Sequence, residues 1–190
     1  MNKPTVHILI EGFADEASLQ EHGVARYQPN IVLIRVDNLV IIADPGTVEN
    51  QHSIADALAT QGLKVSDVTH VIHTHHHLDH TRNTGMFADI PVIDAWAMWN
   101  GVNYNTQPHS LHETITIQPT PGHSYDSLTV FVKTNDGTVA ICGDTFWWKD
   151  DAQSDVYATD TAELSKSRQL VLDTADIVIP GHGPMFRTKQ

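Results

Sequence analysis

Thr74-His75-His76-His77-Leu78-Asp79-His80 is the stretch that decides what this chain can fold into. Imidazole nitrogen and carboxylate oxygen are the borderline ligands that zinc accepts, as do iron and manganese. Four such donors, on His75, His77, Asp79 and His80, fall within six residues. Donors this crowded along the chain do not all wrap around one tetrahedral ion, whereas a curled turn can point them at two adjacent ions. A tag would be uninterrupted and terminal; this run is internal, interrupted at fixed positions and preceded by the β-rich segment 68–73. His76 alternates with His77 and is expected to point away from any metal, and His70 and His73 read as strand residues.

Outward from this run, one pattern recurs three times: an apolar strand ending in a tight turn that holds a donor. The turns are Thr120-Pro121-Gly122-His123-Ser124, Ile141-Cys142-Gly143-Asp144-Thr145 and Ile179-Pro180-Gly181-His182-Gly183. Glycine permits unusual backbone angles beside the donor and proline narrows the alternatives. Pro-Gly-His alone is a weak signal, equally compatible with a surface turn; three such turns together with the histidine run are a strong one.

The intervening sequence supplies the scaffold. Residues 6–11, 31–36 and 39–43 read as strands, the last two joined by a tight turn at Asp37-Asn38. Ile54, Ala55, Leu58 and Ala59 recur at helical spacing within 51–61, closed by Gly62. A helix is expected to start within 81–87, a short strand at 92–93, and a loop-rich flap over 95–113 with Trp96, Trp99, Tyr104, His109 and His112. Strands follow at 114–118, 128–133 and 138–142, then a polar loop at 145–159, a helix at 163–173 and a strand at 177–179. Strands and helices are mixed in both halves, which predicts two sheets packed between helices in one domain over residues 1–190.

The chain has 23 acidic against 11 basic side chains, a formal charge of −12, and no Lys/Arg-rich stretch. That balance repels phosphate backbones, so nucleic acid is a weaker expectation than a small-molecule substrate. The lone cysteine, Cys142, cannot form an intramolecular disulfide and is read as a small core residue. Residues 1–12 lack the pattern of a signal peptide and no apolar stretch reaches membrane-spanning length, so the expectation is a cytoplasmic protein with no membrane partner. A homodimer is left open.

The ordered set His-x-His-x-Asp-His, Pro-Gly-His, Gly-Asp-Thr and Pro-Gly-His-Gly resembles the metallo-β-lactamase superfamily over almost the whole chain. Residues 67–87 and 175–187 are most similar to the small metallo-β-lactamase domain-containing proteins of animals. The resemblance implies an α/β (α+β) fold, a four-layer αββα sandwich with two mixed sheets between helices. It implies that His75, His77 and His123 hold one metal, that Asp79, His80 and His182 hold a second, and that Asp144 bridges them. The cofactors would be two divalent ions, zinc first, with iron or manganese as alternatives. Asp44, in Ala43-Asp44-Pro45-Gly46, resembles the Asp-x-Gly element whose carboxylate orients the ligand-bearing loop.

By the same resemblance, the activity is hydrolysis by a hydroxide shared between two metal ions, with Asp79 also passing a proton. Asp144 stands where zinc β-lactamases of the main class carry cysteine, which points to esters, thioesters or lactones instead of antibiotics. The alternatives are a ribonuclease or phosphodiesterase, an iron-dependent sulfur dioxygenase and a non-catalytic metal-binding domain. Eight residues after His182 leave no room for the helical domain of hydroxyacylglutathione hydrolases, so recognition is expected from the loops at 13–30, 95–113 and 146–159. These carry Tyr27, Trp96, Trp99, Tyr104, Trp147, Trp148 and Tyr157, an expected aromatic wall, with Arg82 as the best-placed cation for a substrate anion.

Overall fold

In the computed structural model of the chain, which describes residues 3–16, 21, 23–106, 110–149 and 155–188, the strands form two large sheets and one hairpin. The first sheet, in spatial order, is β1 (Thr5–Ile10), β4 (Ile31–Val36), β5 (Leu39–Ala43), β6 (His70–Ile72), β7 (Val92–Ile93), β8 (Ala97–Asn100) and β9 (Asn103–Thr106). The second is β10 (Ser110–His112), β11 (Ile115–Pro119), β12 (Leu128–Thr134), β13 (Gly137–Ile141), β14 (Ile177–Ile179) and β15 (Phe186–Arg187). Among the described residues, strands β2 (Phe13–Asp15) and β3 (Arg26–Gln28) pair only with each other. Both large sheets are mixed: β5, β6 and β7 run parallel, as do β13 and β14, and the remaining neighbours are antiparallel.

Period-2 alternation explains the layering. On β4, Val32, Ile34 and Val36 face the second sheet while Ile31 and Leu33 face outward, and all five are buried. Strand β12 repeats this, with Leu128, Val130 and Val132 inward and Phe131 outward. A strand buried on both faces must be covered on both, and the covers are helices supplied by the crossovers that parallel strands require. Between β5 and β6 runs α1 (His52–Thr60), whose Ile54 and Leu58 have no exposed surface against Leu33, Ile42 and Val71. The one-turn α2 (Leu78–Thr81) follows β6. Between β13 and β14 runs α3 (Thr161–Thr174), capped by Asp160, whose carboxylate accepts from the amides of Ala162 and Glu163. Val171 of α3 packs with Phe131, Ala140, Cys142 and Val178. The result is the expected αββα order, with Cys142 in that outer core, its thiol pushed up by burial.

Three expectations fail locally. Over 95–113, expected as a loop-rich flap, the described residues instead carry the strands β8, β9 and β10. The helix expected within 81–87 is instead α2 ending at Thr81 and a 3-10 turn over Thr84–Met86. Strands β2, β3 and β15 carry too few apolar residues for their period to register. His109 and parts of the loops at 13–30 and 146–159 lie outside the described residues. Among the described residues no helix is long and apolar enough to cross a membrane.

Candidate metal centre

Strands β5, β6, β11, β13 and β14 each hand on a polar segment just past their C-terminal ends, and these segments converge. His75 and His77 come from the turn after β6, Asp79 and His80 from α2, His123 from the β11–β12 connection, Asp144 from the 3-10 turn Gly143–Thr145, and His182 from the turn after β14. Gly143 adopts φ +49° with no room for a Cβ against the Thr74 side chain, so glycine is required for the Asp144 turn to meet the histidine run. At Gly181 a Cβ would stand 1.8 Å from Asp144 Oδ1, so the backbone of the last turn closes directly over the carboxylate.

The donors fall into two groups whose ligand atoms lie within 4.8 Å of one another: His75, His77, His123 and Asp144, then Asp79, His80 and His182. Asp144 joins them. Its Oδ2 is 3.4 Å from His123 Nε2 and 3.8 Å from His75 Nε2, while its Oδ1 is 3.2 Å from His80 Nε2 and 3.4 Å from His182 Nε2. Asp79 Oδ2 lies 3.6 Å from His182 Nε2 and 3.7 Å from His80 Nε2. In the first group, His77 Nδ1 sits 3.0 Å from His75 Nε2 and 2.9 Å from His123 Nε2. His80 Nε2 and Asp144 Oδ1 are buried without a hydrogen-bond partner among the described residues. With Nδ1 donating to Asp44, His80 Nε2 presents a lone pair, as does Asp144 Oδ1, and acceptors this close are what cations at the two points would resolve.

Electrostatics agrees. Burial, and the neighbouring His80 and His123 respectively, hold His75 and His77 below the usual imidazole range, leaving both neutral with lone pairs to offer. Burial opposes charge on His80 and His182 too, but the Asp144 carboxylate outweighs it and raises both. Asp144, despite burial, is held well below the carboxylate range by His80 and His182. Protons on two histidines therefore balance a buried carboxylate, and divalent ions would take over that role.

The outward nitrogens of His75, His80, His123 and His182 are engaged, which fixes their tautomers. His80 Nδ1 donates to Asp44 Oδ2 at 2.8 Å. Thr74 Oγ1 donates to the same oxygen at 2.7 Å and accepts from His75 Nδ1 at 3.1 Å, while the Thr74 amide donates to Asp44 Oδ1 at 2.7 Å. Asp44, at φ +50°, thus orients one donor of each group. His182 Nδ1 donates to the Gln28 carbonyl at 2.9 Å, and His123 Nδ1 to Asp155 Oδ2 at 2.5 Å. Asn30 ties the His182 turn to the first sheet, donating from Nδ2 to the Pro180 and Gly183 carbonyls, each at 2.8 Å. Sequence reasoning reached Asp44 but not Gln28, Asn30 or Asp155, whose partners are remote in sequence.

His76 points away from the site, with Nδ1 2.7 Å from Asp126 and its ring stacked on Trp96. The expected aromatic wall forms only in part. A cavity of about 540 Å³ opens above the donors, walled by Tyr27, Trp147 and Tyr157 with Ala25, Thr47 and Leu78. Trp96 lies on His76 and Trp99 pairs with Tyr104, away from this wall, while Trp148 stands edge-on to Trp147. Arg82 does not line the cavity, and among the described residues no Lys or Arg does.

Comparison with known proteins shows the family and the fold. A sequence model described as the Metallo-beta-lactamase superfamily matches residues 24–111. Metallo-beta-lactamase domain-containing protein 1 of Xenopus laevis is 31% identical over 193 residues, covering 96% of this chain and 81% of the relative. The Homo sapiens protein of that name is 36% identical over 160 residues, covering 77% of this chain, and the match spans 59% of its own length. Among solved structures, a Thermotoga maritima protein assigned to the metallo-beta-lactamases superposes with a TM-score of 0.79 at 18% identity, covering 98% of this chain and 100% of the other. An N-acyl homoserine lactone hydrolase with product bound at its catalytic metal centre follows at 0.66 and 16%, covering 96% and 92%.

Proposed function

Because this chain belongs to the metallo-β-lactamase superfamily, we propose that it is a two-metal hydrolase that cleaves a small neutral ester, thioester or lactone. The observation that carries this is Asp144, which presents one oxygen to each donor group. His75, His77 and His123 would hold the first ion and Asp79, His80 and His182 the second, zinc being the first expectation for a nitrogen-rich set. Held by these residues, a pair of such ions would supply Lewis acidity, the means to activate water at neutral pH and to polarise the bond under attack.

The chain's own groups do the rest. Asp44, Asp155 and the Gln28 carbonyl keep the imidazole lone pairs aimed inward. Asp79 is the more exposed of the two carboxylates in the donor set and borders the cavity, which supports a role in taking the proton lost by water and returning it to the departing alkoxide or thiolate. Tyr27, Trp147, Tyr157, Ala25 and Leu78 exclude water above the site and accept an apolar substituent. A cavity wall without Lys or Arg among the described residues supports a neutral substrate over a phosphodiester. That a lactone hydrolase of this fold holds N-hexanoyl-L-homoserine at its metal centre supports testing acyl lactones first.

The experiment is metal analysis of the purified chain, then a panel of acyl lactones, thioesters, aryl esters, phosphodiesters and single-stranded RNA, on wild type and Asp144→Ala. Hydrolysis of carbonyl substrates that Asp144→Ala abolishes is expected. Cleavage of RNA or phosphodiesters alone would replace this assignment with a nuclease, and full activity in a metal-free preparation would end it.

A further inference from the structure

We propose that Asp155 joins the first metal position to the substrate-facing wall, so that ordering of the wall and occupancy of the metal are one event; this rests on the metal assignment above. Both oxygens of this buried carboxylate are committed. Oδ2 accepts from His123 Nδ1 at 2.5 Å and fixes the lone pair of His123 Nε2 toward the first donor group. Oδ1 accepts from the Tyr157 amide at 3.0 Å. The same turn is closed by Ala158 N to the Asp155 carbonyl at 3.2 Å and by Thr159 N to the His123 carbonyl at 3.0 Å. Tyr157 so held lies parallel to Trp147, ring centroids 5.7 Å apart, and both line the cavity. Trp147 in turn stands 6.2 Å from His123 and 5.3 Å from His182. A shift of His123 on metal binding therefore reaches Tyr157 through one carboxylate, and substrate packed on Tyr157 stabilises the same arrangement.

Asparagine has one carbonyl oxygen and presents an NH2 on the other side, so Asp155→Asn cannot accept from both donors. Asp155 is a positioning residue, and readouts other than turnover test it. In the wild-type chain, saturating Zn2+ is expected to slow amide hydrogen exchange at Tyr157 and Thr159 and to change the emission of Trp147, identified by its loss in Trp147→Phe. In Asp155→Asn, Co2+ affinity at the first position is expected to fall about 10- to 100-fold with an altered visible spectrum, and Zn2+ no longer to protect the two amides. Tyr157→Ala keeps the amide, so Co2+ affinity stays at the wild-type value while KM for an apolar ester rises. Unchanged exchange at Tyr157 and Thr159 in wild type, measured on a chain that does bind Zn2+, would overturn the coupling whether or not the variant folds. So would wild-type Co2+ affinity and spectrum in Asp155→Asn. A wild-type chain that binds neither ion would instead overturn the metal assignment itself.

Discussion

Replacing Gly181 by alanine tests the metal centre without removing a donor. The φ of Gly181 is one that alanine accepts, so the substitution acts only through its new methyl group. That group would lie 1.8 Å from Asp144 Oδ1 and 3.0 Å from both Asp144 Cγ and the Gly143 carbonyl carbon. Real contacts of this kind are not seen below 3.0 Å, so Oδ1 must retreat by about 1.2 Å or the turn must lift. Retreat pulls Oδ1 from His80 and His182, and lifting the turn carries the neighbouring His182 from Oδ1; in both cases the second group is disturbed more than the first. Misplacement of about 1 Å in such a site costs on the order of 100-fold in turnover, and overpacking a tight interior costs about 1–3 kcal/mol of stability. The second metal should therefore weaken sharply while the first persists, a stoichiometry falling from two towards one in competition titrations with a chromogenic chelator. Gly85→Ala, with nothing within 4 Å of its added methyl, is the control. A Gly181→Ala chain with two tightly held ions and wild-type turnover would refute a bridging Asp144.

Asp44→Ala removes acceptors for His80, Thr74 Oγ1 and the Thr74 amide; metal affinity should drop about 10- to 100-fold by calorimetry, without loss of a donor. Metal loading should weaken as pH falls through the raised range of His80 and His182, since both must lose a proton to bind, and proton release on mixing in weak buffer measures it. Burial holds His73 down at about 4, so between pH ~6.5 and ~4 the unfolded chain takes up a proton that the folded chain refuses. Stability of the metal-free chain should fall over that window, by about 3 kcal/mol from this group, and His73→Gln should flatten the slope in urea denaturation. Leu58→Ala, emptying a fully buried site under α1, should cost about 2–5 kcal/mol by the same assay.

The donor pattern was legible because the donor turns follow apolar strands: 70–72 before His75, 137–141 before Asp144 and 177–179 before His182. Those runs are unbroken because both faces of the strands are buried. Strand β9, Asn103–Thr106, is exposed throughout, so nothing selected apolar residues at alternate positions and it read as loop. The contacts behind the donors were illegible for a different reason. Asn30 reaches Pro180 across 150 positions and Gln28 reaches His182 across 154, and an asparagine nitrogen or a backbone carbonyl leaves no mark on its own neighbourhood. Asp155 reaches His123 across 32, from a position outside any helix or strand. Trp96 and Trp99 misled because aromatic identity says how much surface is buried, not against what; one covers His76 and the other pairs with Tyr104.

The split origin of the donors has a consequence for how the chain reaches its native state. Four come from the half that builds the first sheet and three from the half that builds the second, so no fragment of either half holds the complete set. The site comes into being only when the two sheets dock, late in any folding sequence and after the costliest loop closures are complete. An ion that binds only the docked form stabilises it by mass action, about 2.7 kcal/mol at a hundredfold excess over Kd. Scarcity of metal in the cell would then be felt first as a shorter lifetime of the chain, before it was felt as slower turnover.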